Sequence, residues 1–582
     1  MYKSKSKQKN SQFYLPGEEI NVANSSMFNS WDKEKTIKAS SEKIRIYFGI
    51  CCFVVAYLIV GLRLLDVCFL ANFNDDTPKG ETSVKKSIYR ADIVDRNGTV
   101  IATSLPTQDL DANAKKILKP KTTTLKLIEI FPELKDRFDS TYKKLKKGKG
   151  HYTIKRNLTP NQQSKIIALG NPGLEFKKTE KRVYPHKNLL GHIIGTVDID
   201  NQATAGLELG LNDRITSSNI PVKLTIDVGI QDTVRTILQK YKKKFSAYAA
   251  TAVLMNANTS EIISMVSLPD FDPNNINSKS VTFNQATTRI YEPGSVLKVF
   301  NTAMALDSGK VKISEIFDTT QPLKLKYNII KEFHGQGRPL NVKEILVHSS
   351  NIGSARMALQ AGFNEQYNFL KKIKMLEKIN MELVETARPI VMKKEKWKSS
   401  DSAVASIGYG YGLSISPLHL AASFSAIVNG GLYNTPTLLQ GKYNPDNSER
   451  VLSDSTSKLM RKLLRAVVVE GSGRNANVLG YEVGGKTGTA NKQDKQGRYI
   501  NNHVNTTFLA AFPISNPQYV LVVMMDDPKA TKDTFGFNLA GWNVVPAAAE
   551  IISDVAPQLD IPANADIDEK RNKKIIEAAF SR

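Results

Sequence analysis

The most uniform hydrophobic stretch of the chain comes early. Ile46 to Leu62 carries no charge and is apolar on every face of a helix; after Arg63, Leu64 and Leu65 extend it. The uncharged part alone is slightly short for a hydrocarbon core of about 30 Å, but Arg63 can snorkel to the interface. The pattern therefore predicts a transmembrane helix over 46–65. Lys33, Lys35, Lys38, Lys43 and Arg45 crowd positions 31–45, whereas 66–80 hold Lys79 alone. By the positive-inside rule, the N-terminus is expected in the cytoplasm and everything beyond about residue 66 across the membrane. Residues 1–45 are polar and Ser/Asn/Lys-rich, the composition of a disordered tail.

Beyond the anchor the periodicity changes several times. Ile88 to Ala102 reads as strand, Asn97-Gly98 turn, strand. Residues 105–180 alternate helix-like Leu/Ile/Lys segments with turns, and Val222 to Asp227 leads as a strand into a helix from Ile230 to about Lys242. From about 245 come two hairpin patterns, Tyr248 to Met255 with Glu261 to Ser267, and Thr506 to Phe512 with Tyr519 to Met525. Helical patterns fill the middle. Strands at both ends of one segment, with helices between, predict a mixed α/β body whose sheet joins both ends. The expected organisation is a tail (1–45), an anchor (46–65), a first exported domain (66–240), a second (241–555) and a C-terminal tail (556–582).

Composition adjusts this picture in two ways. The 582 residues include 80 Lys+Arg against 56 Asp+Glu, a net charge of +24, which raises nucleic acid as a partner. The excess is spread, however: 10 basic and 5 acidic residues over 1–65, 29 and 20 over 66–240, and 41 and 31 over 241–582. The densest run, Lys143 to Lys149, comes with Gly148 and Gly150 and reads as a loop, and no basic stretch is interleaved with regularly placed aromatics as a single-strand binding face would be. A solvated surface and no nucleic acid are expected. All three cysteines, Cys51, Cys52 and Cys68, lie in or beside the apolar segment, so the main body has no intrachain disulfide and no cysteine zinc site. The seven histidines form no HExxH pair. Neither a metal nor a cofactor is expected.

Three short motifs carry candidate chemistry. In Tyr291-Glu292-Pro293-Gly294-Ser295-Val296-Leu297-Lys298 the Pro-Gly pair makes a turn, and a helix apolar nearly all round runs from it to Leu306, with Gly309 as its stop. Lys298 stands three residues beyond Ser295 on the same face. Buried there, the lysine is desolvated, its pKa falls, and it can act as a base toward the Ser295 hydroxyl. The motif alone is weak, since S-x-x-K also occurs at Ser4/Lys7, Ser6/Lys9, Ser40/Lys43 and Ser83/Lys86. Lys486-Thr487-Gly488-Thr489-Ala490 is the second; with Gly480 and Gly485 it satisfies a Walker A spacing, but the residues after Ala490 are polar and poor helix material. As a strand, Lys486, Gly488 and Ala490 face one way and Thr487 and Thr489 the other. The third, Ser349-Ser350-Asn351, comes after a predicted helix (Val342 to His348) and reads alone as a helix cap.

Together, in this order and in one predicted domain beyond an anchor, S-x-x-K, S-x-N and K-T-G are the set of the penicillin-interacting serine enzymes. The chain resembles a class B penicillin-binding protein. Arg90 to Ala102 resembles the R-G-x-I-x-D-R-N-G block of the family's non-catalytic domain, with Ala91 in place of the usual Gly. Arg182-Val183-Tyr184-Pro185 and Gly206-Leu207-Glu208 match later blocks, and Leu224 to Asp227 resembles the entry to the transpeptidase domain. Tyr409-Gly410-Tyr411-Gly412-Leu413 with Ser416-Pro417 is similar to the division-specific FtsI branch, with the elongation-type enzyme as runner-up.

The resemblance implies a single-pass inner-membrane protein with an elongated α+β pedestal (66–240) and a serine β-lactamase-like transpeptidase domain (241–555) around an antiparallel sheet. It implies D,D-transpeptidation of peptidoglycan stem peptides at the septum. Ser295 would be the nucleophile, Lys298 its base, Ser349 a proton relay and Asn351 a holder of Lys298 and substrate. Lys486, Thr487, Gly488 and Thr489 would bind the donor's terminal carboxylate, and the backbone N–H groups of Ser295 and Thr489 would form the oxyanion hole. Implied partners are lipid-linked precursor, β-lactam antibiotics, an FtsW-type glycan polymerase and other divisome proteins. A β-lactamase-like hydrolase is disfavoured because no E-x-x-L-N segment supplies a deacylating base; a β-lactam sensor would need several membrane spans.

Overall fold

The computed structural model describes residue 48, residues 50–62 and residues 90–564 other than 327 and 495. The chain divides into two compact units, 1–87 and 88–582. In the first, residues 50–62 are helical with exposed apolar side chains. Among the described residues no helix is long and apolar enough to cross a membrane. The predicted span 46–65 is therefore met only in part, since 46, 47, 49 and 63–65 lie outside the described residues. So do the tail 1–45, residues 66–89 with Cys68, and residues 565–582 of the C-terminal tail.

In the second unit the two predicted hairpins belong to one five-stranded antiparallel sheet. Its order is Gly484–Gln493, Tyr499–Phe512, Tyr519–Asp526, Ala249–Asn256, Ile262–Leu268. The strand carrying Lys486-Thr487-Gly488 is an edge, and the late pair docks beside the early pair through Tyr519–Asp526, as a sheet joining both ends of the segment requires. Tyr519–Asp526, Ala249–Asn256, Ile262–Leu268 and the end of Tyr499–Phe512 are largely apolar on both faces because both are covered. Val253, Met255, Leu509, Ala511, Val520, Val522 and Met524 enter the core on the side of the helical lobe. Their alternating neighbours Ala252, Leu254, Phe508, Ala510, Leu521, Val523 and Met525 pack on the helices Val228–Lys244 and Val544–Val555. The helix Val228–Lys244 thus packs on the sheet, although the border expected at 240 assigned it to the pedestal.

The pedestal is built on a 14-residue strand, Val100–Asn113, paired with Leu174–Val183 and His151–Lys155. Its short neighbour Ile93–Val94 pairs with it across the predicted Asn97-Gly98 turn and runs parallel to Val222–Lys223. The three sequence blocks of this domain meet at a buried ion cluster. Glu208 accepts from Arg90 Nε (3.0 Å) and Nη2 (2.6 Å) on one oxygen and from Arg182 Nε (2.6 Å) on the other. Asp95 turns its own loop by accepting from Asn97 N and Thr99 N, and its second oxygen accepts from Val228 N at 3.2 Å. That last bond ties the pedestal to the first turn of the helix under the sheet.

Candidate active site

Ser295 lies in a 3₁₀ turn, Gly294–Val296, that feeds the helix Leu297–Asp307. As the apolar pattern predicts, that helix is buried from Leu297 to Ala305, and Lys298 is fully buried with it. Ser295 itself is half-buried. Gly294 has φ +62°, and a Cβ on it would fall 2.8 Å from Thr489 O. The structure also explains the glycine of the K-T-G motif: a Cβ on Gly488 would meet Pro293 O at 2.5 Å, so only a bare backbone lets the edge strand close on the Ser295 turn. The Tyr-Gly-Tyr-Gly run backs the turn from the other side, where Gly294 N donates to Gly410 O (3.1 Å) and Gly412 N to Glu292 Oε1 (2.6 Å).

The S-x-N segment lies between two helices, Val342–Val347 and Asn351–Lys372. Ser350 caps the second by accepting from Gly353 N at 2.9 Å, so the cap reading and the chemical reading of this tripeptide are both realised, on different serines. Ser349 adopts φ +59°, a left-handed conformation uncommon outside glycine. This turns both its carbonyl oxygen and its hydroxyl toward Lys298. Lys298 Nζ donates to Ser349 O (2.5 Å), Ser349 Oγ (3.2 Å) and Asn351 Oδ1 (2.7 Å). From the edge strand, Lys486 Nζ donates to Ser349 Oγ (3.0 Å) and Thr487 O (3.0 Å). One turn beyond the motif residues, Asn301 donates to Ser354 O and Oγ at 2.9 and 3.0 Å and locks the two helices together.

The electrostatics follow from burial. Lys298 is held well below its ordinary pKa, first by desolvation and then by the neighbouring Lys486 charge, with Glu332 opposing. Desolvation brings Lys486 down to about 7. As an ammonium, Lys298 spends its three protons on Ser349 and Asn351, and no hydrogen bond joins it to Ser295 Oγ. The neutral amine donates only two and carries a lone pair, the form that could accept a proton from Ser295. Two donors on Ser349 Oγ fill its acceptor sites and leave its own hydrogen free to donate.

The structure brings together all the predicted site residues, and adds some that the sequence did not mark. Thr487 Oγ1 lies 2.5 Å from Ser472 Oγ, and Thr489 Oγ1 accepts from Ala540 N (3.1 Å). Glu332 grips the first turn of the Asn351 helix. Neither Ser472 nor Glu332 belongs to a motif; the Gly471-Ser472-Gly473 turn is the only local signal for the former. The Walker A spacing has no phosphate loop behind it, because Gly484–Gln493 is an edge strand succeeded by another strand.

Residues 250–541 match the penicillin binding protein transpeptidase domain, and residues 85–215 match the penicillin-binding protein dimerisation domain. The chain is a class B penicillin-binding protein. This penicillin-binding protein is 34% identical over 497 residues to a probable peptidoglycan D,D-transpeptidase FtsI of Caulobacter vibrioides, covering 82% of each chain. It is 28% identical to the peptidoglycan D,D-transpeptidase FtsI of Escherichia coli over 77% of this chain and 80% of that one. Among solved structures it shares its fold with penicillin binding protein 3 of Mycobacterium tuberculosis in complex with aztreonam. That match has a TM-score of 0.65 and 22% identity over 82% of this chain and 98% of that one.

Proposed function

We infer that this penicillin-binding protein is a peptidoglycan D,D-transpeptidase of the FtsI type. The observation that carries the reading is the Ser349 hydroxyl held between two buried lysines, Lys298 and Lys486, next to the Ser295 turn. Acyl transfer needs an activated nucleophile, a proton path to the leaving group and a cation for the donor carboxylate. In our reading Ser295 Oγ attacks the carbonyl of the penultimate D-Ala while neutral Lys298 takes its proton. Ser349 donates to the leaving D-Ala amine and is reprotonated from the lysine side. Asn351 holds Lys298 and the substrate amide. Lys486 with the Thr487 and Thr489 hydroxyls receives the terminal carboxylate beside Gly488, and the N–H groups of Ser295 and Thr489 face the oxyanion. An amine of a second stem peptide then displaces Ser295, forming the crosslink.

The named FtsI relatives favour a division role over an elongation one. The lysine-flanked apolar segment favours anchoring in the inner membrane with the catalytic domain outside, where an FtsW-type polymerase and lipid-linked precursor would meet it. The test is covalent labelling by a fluorescent penicillin, lost in Ser295→Ala while the protein stays folded, together with crosslink formation from stem-peptide donors. Continued labelling of that variant would overturn the nucleophile assignment, and release of D-Ala with no crosslink would make it a carboxypeptidase instead. Septal recruitment of the tagged protein supports the division role; uniform lateral placement refutes it.

A further inference from the structure

Glu332 is the one acidic side chain that acts on Lys298 among the described residues, and no motif contains it. It lies just after the short strand Asn328–Ile330 in an otherwise exposed loop. Its carboxylate is clamped across the first turn of the Asn351 helix. One oxygen accepts from Ser350 Oγ and from Ile352 N (3.2 Å), the other from Asn351 N (2.8 Å). The preceding residue completes the grip: Lys331 O accepts from Asn351 Nδ2 at 3.0 Å. With its amino group fixed there, the Asn351 amide must present Oδ1 to Lys298, as it does at 2.7 Å.

We propose that Glu332 is a positioning residue for acylation. It holds the Ser350–Asn351 turn so that Asn351 and Ser349 grip Lys298, and it supplies the negative charge that this pair of buried lysines otherwise lacks. The two functions come from one carboxylate: neutral donors at a helix start need only an oxygen, but a site with Lys298 and Lys486 and no nearby anion disfavours every proton it must hold. The charged groups acting on Lys298 are Lys486, from the edge strand, which disfavours its ammonium, and Glu332, which favours it. Ser349 and Asn351, the remaining partners, do not titrate.

The proposal rests on the transpeptidase reading, and its test separates the two. Second-order rate constants for acylation of the full-length protein by a fluorescent penicillin are measured from about pH 5 to about pH 9. They are compared for the native chain, Glu332→Gln and Glu332→Asp, with thermal melts alongside. Glu332→Gln is expected to slow acylation by about tenfold to a hundredfold, the cost of a small misplacement of catalytic groups. It should also move the acid limb to lower pH, because Lys298 loses its proton more readily without the carboxylate. Glu332→Asp keeps the charge and should keep the acid limb while recovering part of the rate. Native-rate labelling of Glu332→Gln, or slower labelling with an unmoved acid limb, overturns the proposal, the latter reducing Glu332 to a structural cap. An acid limb displaced in the Asp variant as well overturns the charge role even should the Gln variant not fold. A native chain that is never labelled overturns the transpeptidase reading itself.

Discussion

Ser349 Oγ lies 3.2 Å from Lys298 Nζ, and it does so from a backbone held at φ +59°. A side chain in that region costs roughly 1 kcal/mol or more relative to glycine. The strain is retained because it aims both the carbonyl and the hydroxyl of one residue at the lysine. Ser349→Gly and Ser349→Ala both remove the hydroxyl and should slow penicillin acylation by about 10²–10⁴. They should differ in stability, with Gly the more stable by roughly 1 kcal/mol in urea unfolding. Equal stabilities would show that the left-handed conformation carries no strain.

Lys486 predicts opposite pH trends for activity and stability. Burial brings it down to about 7, so its ammonium, which the proposed mechanism uses to receive a carboxylate, is lost as pH rises through that value. Penicillin acylation of the free enzyme should fall above about pH 7. The unfolded lysine stays protonated to about pH 10.4, so the unfolded state binds more protons between the two values and stability rises with pH across that window. Lys486→Met should abolish acylation, remove its share of this slope and stabilise the fold at neutral pH by roughly 0.5–2 kcal/mol. A destabilised Met variant with the slope intact would refute this.

Much of the fold and site was legible in the chain for identifiable reasons. Tyr519–Asp526 and Ala249–Asn256 could be read as strands because helices cover both faces, leaving short, nearly continuous apolar runs. Leu174–Val183 could not. Glu175, Lys177, Lys178, Glu180, Lys181 and Arg182 interrupt any alternation, and a single long neighbour, Val100–Asn113, makes it a strand. Ser295, Ser349 and Lys486, which we propose carry the chemistry, stand in motifs of fixed local spacing that mark them in the sequence. Glu332 and Ser472 make contacts formed only when distant loops fold onto the motifs; beyond the Gly471-Ser472-Gly473 turn, nothing near them in sequence encodes that.

The pedestal should fail at Glu208. Its carboxylate is fully buried and shared by Arg90 and Arg182, themselves buried, and Arg90 Nη1 also reaches Asn212 Oδ1 at 2.9 Å. Removing the anion leaves two buried guanidinium groups facing each other. Glu208→Ala should therefore cost about 3–5 kcal/mol, visible in thermal or urea unfolding, while an exposed pair such as Lys116–Glu175 should cost about 0–1 kcal/mol when broken. Similar losses from the two would show that the cluster is solvated.

His419 should set the acid side of the stability curve. It is buried in the first turn of the helix Pro417–Val428, where Nε2 meets Glu377 O at 3.0 Å and Nδ1 meets Ser416 Oγ at 2.7 Å. A carbonyl only accepts, so Nε2 carries a proton; burial disfavours a second one on Nδ1, which in the neutral ring accepts from the Ser416 hydroxyl. Desolvation lowers its pKa to about 4, while the unfolded histidine titrates near 6.5. Between these values the unfolded state binds the extra proton, so this stability is present above about pH 6.5 and is lost as pH falls toward 4. Over the whole window the loss is roughly 3 kcal/mol. His419→Gln, which can still donate to Glu377 O, should be less stable than the native chain at pH 7 but should lose less on acidification, so that their urea midpoints converge toward about pH 4. Parallel curves for the two proteins would mean that His419 is protonated in the folded state and contributes no acid sensitivity.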